Sequence, residues 1–440
     1  MRNDTSKIGK NRLLLNTMLD INFIRQNPEK VKEGIAKKNA DPKLVDKFLR
    51  WDEEWRAKIS VWEGLKVEQK TLSKELMKSQ ASDLLSRAQI LKKRLADLEK
   101  EKKELEQKRE ESLSKLPNLP LDDVPVGPDE TANKILRELG QKRKFNFPAK
   151  EYLEIAEKLD LIDTKRAAKV SGSRFGYLKN EIALLEFSLV KLAFDFLIPE
   201  NFIPIIPPVL IKEKMMKGMG YIDKTEDKEE TYFLEKDNLY LIATSEQSVG
   251  PLHADEVLKE EELPKRYVAF SSCFRREAGS YGKDTTGILR VHQFDKVEMF
   301  SFCHPDKSKE EHQFLLLMAE KLMQALQLPY RVVQMCTGDL GGPAAAKYDI
   351  EAWLPGQNNG QGEYRETHSL SNCTDFQARR LNIRFRDKKG KLGFVHTLNG
   401  TAFSQRPLIA IIENYQTKQG TVKVPDVLKP FIDKNEIKIK

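Results

Sequence analysis

The sequence contains the run Phe274-Arg275-Arg276-Glu277-Ala278-Gly279, followed by Arg290-Val291-His292-Gln293-Phe294 and then by Glu298. Cations and anions alternate in these runs, which predicts two short β-strands. The polar, glycine-containing stretch at 280–287 would join the two strands as a loop. The pattern therefore predicts a hairpin with a charged face.

The side chains of this hairpin suit a ligand that carries both a polyphosphate and an ammonium group. Arg275 and Arg290 have planar guanidinium groups that can clamp phosphate oxygens. Phe294 can stack on a flat base, and Glu277 and Glu298 can accept hydrogen bonds from N–H donors. Strand alternation places Arg275 and Glu277 on the same side. The alternative is an ordinary solvated hairpin face, which is the usual explanation for any single residue of this kind.

The composition is that of a globular protein with two or three domains, since the chain has 440 residues of which 40% are hydrophobic. No apolar run approaches the ~18 residues of a membrane span, so we expect no membrane segment. The four cysteines are far apart, so we expect reduced thiols, a cytoplasmic protein and no structural zinc. The net charge of +8 permits polyanion binding without requiring it.

Residues 1–17 form a basic segment before the main pattern of the chain. Their apolar run at 13–15 is too short for a secretory signal. A mitochondrial presequence is one alternative. We expect instead a disordered extension or a misassigned start, with the folded chain beginning at Met18.

The stretch from about 45 to 115 predicts an antiparallel coiled-coil hairpin of two long helices. Apolar residues recur at three-, four- and seven-residue steps on both sides of a polar break at 79–82. Each helix of ~33 residues would extend roughly 50 Å. Polar residues at seam positions, Gln69, Lys102 and Arg109, favour a two-helix arm over a larger bundle. An arm that contacts another polymer and an ordinary dimerisation coil fit the pattern equally well.

A proline-rich stretch at 116–128 separates the predicted arm, 18–120, from a predicted catalytic domain, 121–440. The second part has many strand-like runs at hairpin spacing, which predicts an α+β domain built on an antiparallel sheet. The predicted helices are 181–197, 308–327 and 402–415. The predicted strands are an edge strand at 202–210 and the runs 232–234, 239–243, 266–271, 296–302, 330–333, 348–353 and 392–396.

Four further segments carry groups suited to phosphate, metal or amine. Thr244-Ser245-Glu246 offers hydroxyls and a carboxylate, although such a turn is most often a helix N-cap. The run at 364–369 pairs a carboxylate with a hydroxyl that could hold a hard cation. Asn399-Gly400-Thr401 precedes a predicted helix N-terminus, where N–H groups favour an anion. Arg406 is isolated in an apolar stretch, so it needs an anionic partner.

The chain lacks P-loop and Rossmann glycine motifs, so its phosphate site would be built from side chains on an antiparallel sheet. The Phe-Arg-x-Glu run, the Arg406 helix and the segment 181–210 resemble the three signature motifs of class II aminoacyl-tRNA synthetases. Further runs and the N-terminal hairpin resemble the seryl-tRNA synthetase family over about 18–432. These runs are Thr244-Ser245-Glu246, Arg290-Val291-His292-Gln293-Phe294, Ser371-Asn372-Cys373-Thr374-Asp375-Phe376-Gln377-Ala378-Arg379-Arg380, His396-Thr397-Leu398-Asn399-Gly400 and Glu413-Asn414-Tyr415-Gln416.

The resemblance implies an activity and a set of partners. It implies ATP-dependent attachment of L-serine to tRNA(Ser) and, where present, tRNA(Sec), in two steps through a seryl-adenylate. It also implies Mg²⁺ bound with the ATP, a homodimer with contacts from 181–210, and an arm that grips tRNA.

The resemblance further assigns the site residues. Arg275 and Arg406 would be catalytic, on the α- and γ-phosphates. Serine would be held by Thr244, Ser245, Glu246, Glu298, Asn399 and Thr401. ATP would be held by Arg275, Arg276, Glu277, Arg290, Val291, Phe294, Glu366, Thr367, His368, Ser369 and Arg406. Mg²⁺ would be held by Glu366 and Ser369.

Two rival functions are compatible with parts of this sequence. A ligase that loads a carrier protein would lack the tRNA-binding arm, whereas this chain has a full-length hairpin. A non-enzymatic scaffold on a decayed domain would be expected to lose Arg275, Glu298, Glu366 or Arg406. All four are present, so both rivals are disfavoured.

Overall fold

The computed structural model of the chain describes residues 20–79, 81–223, 225–278, 284 and 286–439, without the side chains of 225 and 226. The predicted extension at 1–17, the predicted start at Met18, and most of the predicted loop at 280–287 lie outside these residues. The chain divides into two compact units, Leu19–Leu119 and a second that contains Pro120–Lys440. None of the described helices is both long and apolar enough to cross a membrane.

The first unit is helical and contains two long antiparallel helices. Its helices are α1 (Ile21–Gln26), α2 (Pro28–Ala36), α3 (Lys43–Leu76) and α4 (Ser82–Ser114). Ion pairs join Lys58 to Glu101 and Arg87 to Glu68, so α3 and α4 run in opposite directions. Leu72, Leu91 and Leu95 form a buried seam between them. The predicted helical hairpin is confirmed.

A buried carboxylate ties this hairpin together at its root. Asp52 accepts hydrogen bonds from Nε and Nη2 of Arg25 at 2.7 and 2.8 Å, from Arg109 at 2.8 Å and from Arg56 at 3.1 Å. Burial alone would raise the pKa of Asp52, but the hydrogen bonds from Arg25 and Arg109 hold it at about 2. Arg109, predicted only as a polar interruption of the seam, is therefore a partner of a buried acid that links α1, α3 and α4.

The second unit combines one large sheet with helices and smaller sheets. Its helices are α5 (Tyr152–Lys158), α6 (Thr164–Ser171), α7 (Glu181–Leu197), α8 (Glu213–Met219), α9 (Thr225–Glu229), α10 (Glu246–Val249), α11 (Ser308–Ala325), α12 (Gln357–Gly360), α13 (Phe376–Arg380), α14 (Arg406–Asn414) and α15 (Lys429–Ile432). Its strands are β1 (Lys134–Leu139), β2 (Ile162–Asp163), β3 (Tyr177–Leu178), β4 (Phe202–Ile205), β5 (Leu210–Lys212), β6 (Phe233–Leu234), β7 (Leu239–Leu241), β8 (Val257–Lys259), β9 (Lys265–Phe274), β10 (Gln293–Cys303), β11 (Tyr330–Gln334), β12 (Ala346–Leu354), β13 (Glu363–Asn372), β14 (Arg384–Arg386), β15 (Leu392–Phe394), β16 (His396–Ser404), β17 (Val422–Lys423) and β18 (Glu436–Ile437).

The large sheet has eight strands in the order β1-β11-β12-β13-β16-β10-β9-β4. Neighbouring strands are antiparallel, except that the edge strand β4 runs parallel to β9. One continuous core joins this sheet to the apolar residues of α7, α11 and α14. In β10, Val297 and Met299 belong to that core, so strand alternation directs Lys296 and Glu298 to the other face of the sheet. The predicted α+β fold with an antiparallel sheet is confirmed.

The hairpin prediction for the opening motif is wrong in its details. β9 ends at Phe274 and β10 begins at Gln293, so Arg275 and Glu277 lie in the connection between strands. Glu277 has φ of 51°, a left-handed conformation that ends any strand alternation at this point. The two strands are also longer than predicted, at 10 and 11 residues.

Two further boundaries differ from the prediction. The predicted helix at 402–415 begins only at Arg406, because β16 extends to Ser404 and Pro407 occupies the first helical turn. Asn399-Gly400-Thr401 therefore lies inside a strand and does not precede a helix N-terminus. The predicted edge strand at 202–210 ends at Ile205, and Leu210 starts a strand of another small sheet. Pro207 and Pro208 have no N–H to donate to a ladder, which accounts for the break.

Candidate active site

A cleft lies over the middle of the large sheet, with about 590 Å³ of space between its walls and the solvent at its mouth. Three neighbouring strands, β10, β13 and β16, bring together segments that are distant in sequence. The connection between β9 and β10 and the start of α14 complete the walls. The lining residues are Arg275, Glu277, Ile288, Leu289, Arg290, Val291, Phe294, Lys296, Glu366, Thr367, Ser369, Thr401, Ser404, Gln405 and Arg406.

One wall of the cleft carries the cations of the opening motif. The guanidinium carbon of Arg275 lies 5.1 Å from the centre of the Phe294 ring, and its Nε donates to the carbonyl oxygen of Ala243 at 3.3 Å. Arg290 makes ion pairs with Glu277 at 3.4 Å and Asp284 at 3.3 Å. Among the described residues, Arg275 thus makes no ion pair with a carboxylate on this wall, whereas Arg290 is paired with two.

The opposite wall contains Arg406 and the partner that the sequence required for it. The Nη1 of Arg406 donates to the backbone oxygen of Glu366 at 2.9 Å and lies 3.2 Å from its carboxylate. The side chain of Glu366 is 47% exposed. Partial desolvation in the cleft works to raise its pKa, but the charges of Arg406 and Lys347 lower it to about 2. Glu366 is therefore ionised at neutral pH and available to a cation.

A second group of buried polar side chains adjoins the cleft beside β10. Glu298 is fully buried, forms an ion pair with Lys296, and has no hydrogen bond to its Oε1 from any described residue. Burial raises the pKa of Glu298 to about 7. Thr401 lies directly opposite Glu298 in the ladder between β10 and β16.

The carboxylate of Glu246 lies in the same group. It accepts hydrogen bonds from the hydroxyl of Tyr221 at 2.5 Å and from Nδ2 of Asn399 at 3.2 Å. Burial raises its pKa. Thr244, two residues earlier, accepts a hydrogen bond from Nζ of Lys296 at 3.1 Å. The structure therefore brings together five of the six residues predicted to hold serine: Thr244, Glu246, Glu298, Asn399 and Thr401.

Three predicted site residues do not line the cleft. Ser245 is at the N-cap position of α10, but its Oγ contacts Ser271 Oγ at 2.7 Å and it caps nothing. The guanidinium of Arg276 lies 5.5 Å from the Tyr232 ring centre and does not line the cleft. His368 is buried with its ring nitrogens 2.8 Å from Thr367 Oγ1 and 2.9 Å from the carbonyl oxygen of Ala402. Burial lowers its pKa to about 4, so this histidine is neutral.

Four residues of the site were not predicted from the sequence: Lys296, Ser404, Gln405 and Tyr221. A signal for Lys296 was available, because it precedes Glu298 by two residues and so shares its face of the strand. Tyr221 lies in a different element, and no pattern in the sequence connects it to Glu246. Gln405 was assigned to a helix that begins one residue later.

Glu366 and Ser369 both line the cleft and offer oxygen ligands. Within the described residues, no three His, Cys, Asp or Glu side chains are grouped as a metal site. Two protein oxygens suit Mg²⁺ that arrives on nucleotide phosphates, because Mg²⁺ is usually held by one or two carboxylates, waters and the phosphates themselves. Asp349 is buried and lies directly opposite Ser369 in the ladder between β12 and β13, so it is a further acidic residue beside the proposed ligands.

An antiparallel sheet with an arginine-lined cleft is the architecture of the class II aminoacyl-tRNA synthetases. Residues 231–415 match the model of the tRNA synthetase class II core domain (G, H, P, S and T). Residues 18–120 match the model of the seryl-tRNA synthetase N-terminal domain. The chain is 44% identical over 418 residues to the serine–tRNA ligase of Thermobifida fusca, covering 94% of this chain and 97% of the relative. The chain belongs to the seryl-tRNA synthetase family.

Solved structures agree with this assignment. Seryl-tRNA synthetase from Pyrococcus horikoshii, complexed with ATP, has a TM-score of 0.88 and 43% identity, covering 96% of this chain and 100% of that one. Cytoplasmic serine-tRNA ligase from Naegleria fowleri, in complex with AMP, has a TM-score of 0.84 and 36% identity, covering 96% and 99%. The predicted resemblance is confirmed.

Proposed function

We propose that the protein attaches L-serine to the 3′ end of tRNA(Ser), using ATP, through a bound seryl-adenylate. The observation that carries this proposal is the Oε1 of the buried Glu298, which accepts no hydrogen bond from the described residues and lies next to a cleft with four cationic side chains. A buried acceptor without a partner is costly, and a substrate ammonium group would satisfy it. tRNA(Sec), where present, would be a second acceptor if the arm contacts the backbone shape that both tRNAs share.

ATP would lie along the cleft between its two arginine walls. Phe294 would stack on one face of the adenine and Arg406 on the other, with Glu277 accepting from the adenine amino group. Arg275 would hold the α-phosphate, and the Arg406 guanidinium would also reach the γ-phosphate. The family relative whose structure is complexed with ATP supports this use of the cleft.

The chemistry would need no nucleophile from the protein. In the first step the serine carboxylate attacks the α-phosphorus, a new P–O bond forms, and the bond to the β-phosphate breaks to release pyrophosphate. In the second step a ribose hydroxyl of the tRNA attacks the activated carbonyl, forms the ester, loses its proton and displaces AMP. The protein contributes alignment of the reactants and neutralisation of charge by Arg275 and Arg406. Mg²⁺ held by Glu366 and Ser369 would neutralise further phosphate charge.

A homodimer is part of the proposal. Helix α7 carries Leu184 and Phe187, which are 49% and 66% exposed although both are large and apolar. Ile203 and Ile206 on the following segment are also exposed. Large exposed apolar side chains are typical of interaction surfaces, and a two-fold dimer buries the same surface of both subunits, so these four side chains are the proposed dimer contacts.

Specificity gives the experiment that tests the proposed function. We expect ATP–pyrophosphate exchange with serine to exceed exchange with alanine by at least about a hundredfold, because alanine leaves the buried polar groups around Thr401 and Asn399 unpaired. Threonine would be rejected because its extra methyl group needs space in the same buried pocket. The measurement is the exchange rate with each of the twenty amino acids. Equal rates for alanine and serine, or a faster rate with another amino acid, would contradict the proposal.

A further inference from the structure

Lys296 is the buried cation of the cleft whose role is not explained by binding ATP. Its side chain is 10% exposed, yet it lines the cleft. Its Nζ donates to Thr244 Oγ1 at 3.1 Å and forms an ion pair with Oε2 of Glu298. The neighbouring Oε1 of Glu298 has no hydrogen bond from the described residues. An amino group and a carboxyl group therefore stand side by side where the cleft adjoins the buried polar group.

The other three cations of the cleft have partners other than Glu298. Arg406 is held by Glu366, and Arg290 by Glu277 and Asp284. Arg275 stands over Phe294, on the wall where the phosphates would lie. The first step brings a substrate carboxylate against a negatively charged α-phosphate, and this repulsion needs a cation between or beside the two groups. Lys296 is the cation closest to Glu298.

We infer that Lys296 binds the carboxylate of the amino acid while Glu298 Oε1 binds its ammonium group. The side chains of Lys296 and Glu298 would then match the two charges of one zwitterion, and Lys296 would orient the attacking oxygen. This inference rests on the proposed function, because it names a further contact of the same substrate. Thr244 fixes the lysine through its hydroxyl and thereby sets the position of the positive charge.

L-Serinamide provides a probe, because it keeps the ammonium and hydroxyl groups of serine and lacks the carboxylate charge. We expect the full chain to bind L-serine at least about tenfold more tightly than L-serinamide, which is the lower range for a hydrogen bond to a charged group. Lys296→Met should remove this preference, mainly by weakening serine binding. Affinities are measured by titration calorimetry, and thermal unfolding checks that the variant is folded.

Lys434→Met is the matched control, since it also removes a lysine from an ion pair with a mostly buried glutamate, Glu181. That pair involves no residue of the cleft, so the preference for serine should persist. Two results would overturn the role of Lys296. One is a preference for L-serine over L-serinamide that survives Lys296→Met, and the other is a wild-type chain that binds both compounds equally. The proposed function fails separately, if serine supports no pyrophosphate exchange in the wild-type chain.

Discussion

Arg275→Ala is expected to reduce serine-dependent ATP–pyrophosphate exchange by about a thousandfold, a loss typical of arginines that stabilise phosphoryl transfer. The guanidinium lies on the cleft wall beside Phe294 and makes no ion pair in the described structure that would hold it elsewhere. Its removal takes away the cation that would face the reacting phosphorus. The measurement is the exchange rate at saturating serine and ATP.

Arg276→Ala is the matched control for this experiment. Arg276 is the next residue in the chain and has the same charge, but its guanidinium lies against Tyr232 outside the cleft. We expect exchange within about threefold of the wild-type rate, as is usual for surface substitutions of small effect. A near-normal rate for Arg275→Ala, or equal losses in both variants, would show that the assigned role is wrong.

Shortening the helical arm is expected to reduce tRNA charging by about a hundredfold or more while leaving adenylate formation within about threefold. The expected loss follows from the phosphate contacts that a long charged arm would make with tRNA. Residues 60–99 can be replaced by a short glycine–serine linker, because the Lys58–Glu101 ion pair shows that the two cut ends are neighbours. This design keeps Asp52 and its arginine partners at the root of the arm.

Two assays on the same variant separate the roles of the arm. Pyrophosphate exchange reports adenylate formation, and aminoacylation reports transfer to tRNA. If both activities survive, the arm has another function, and the alternative of a dimerisation coil is then tested by the molecular mass in light scattering. A loss of exchange together with charging would instead indicate that the arm supports the fold of the catalytic unit.

The arm was predictable because its signal is local. A seam with three- and four-residue steps depends only on neighbouring turns of a helix, so α3 and α4 follow directly from the sequence. Asp52 was not found, because a polar residue at a seam position looks like an interruption. Only its three arginine partners, one of them in α1, show that it organises the root.

The central strands were harder to predict because their polar residues are buried as well as their apolar ones. In β16, eight of nine residues are buried although Thr397, Asn399 and Thr401 are polar, so polarity does not mark a solvent-exposed face, and the end of the run was taken for a helix. β1 shows the opposite problem: five of its six residues are exposed, and the sequence gives no burial signal there. Pro407 was the available sign that the helix starts late.

The site was predicted mainly through its resemblance to a family, and the structure refines it residue by residue. Ser245, Arg276 and His368 lie next to residues that do reach the cleft or its buried polar group, but none of the three lines the cleft itself. Of the three, only His368 lies in a strand, where neighbouring residues point to opposite faces, whereas Ser245 and Arg276 lie in connections between elements. A motif copied as a block therefore includes residues that do not line the cleft. Lys296 was not predicted as a site residue, although it shares a strand face with Glu298, which was predicted.

The most direct test of the central claim is a structure of the protein bound to a nonhydrolysable seryl-adenylate analogue. The account predicts the serine amine at hydrogen-bonding distance from Glu298, the adenine between Phe294 and Arg406, and the phosphate mimic against Arg275. An analogue bound with Glu298 and Arg406 directed away from it would contradict the account.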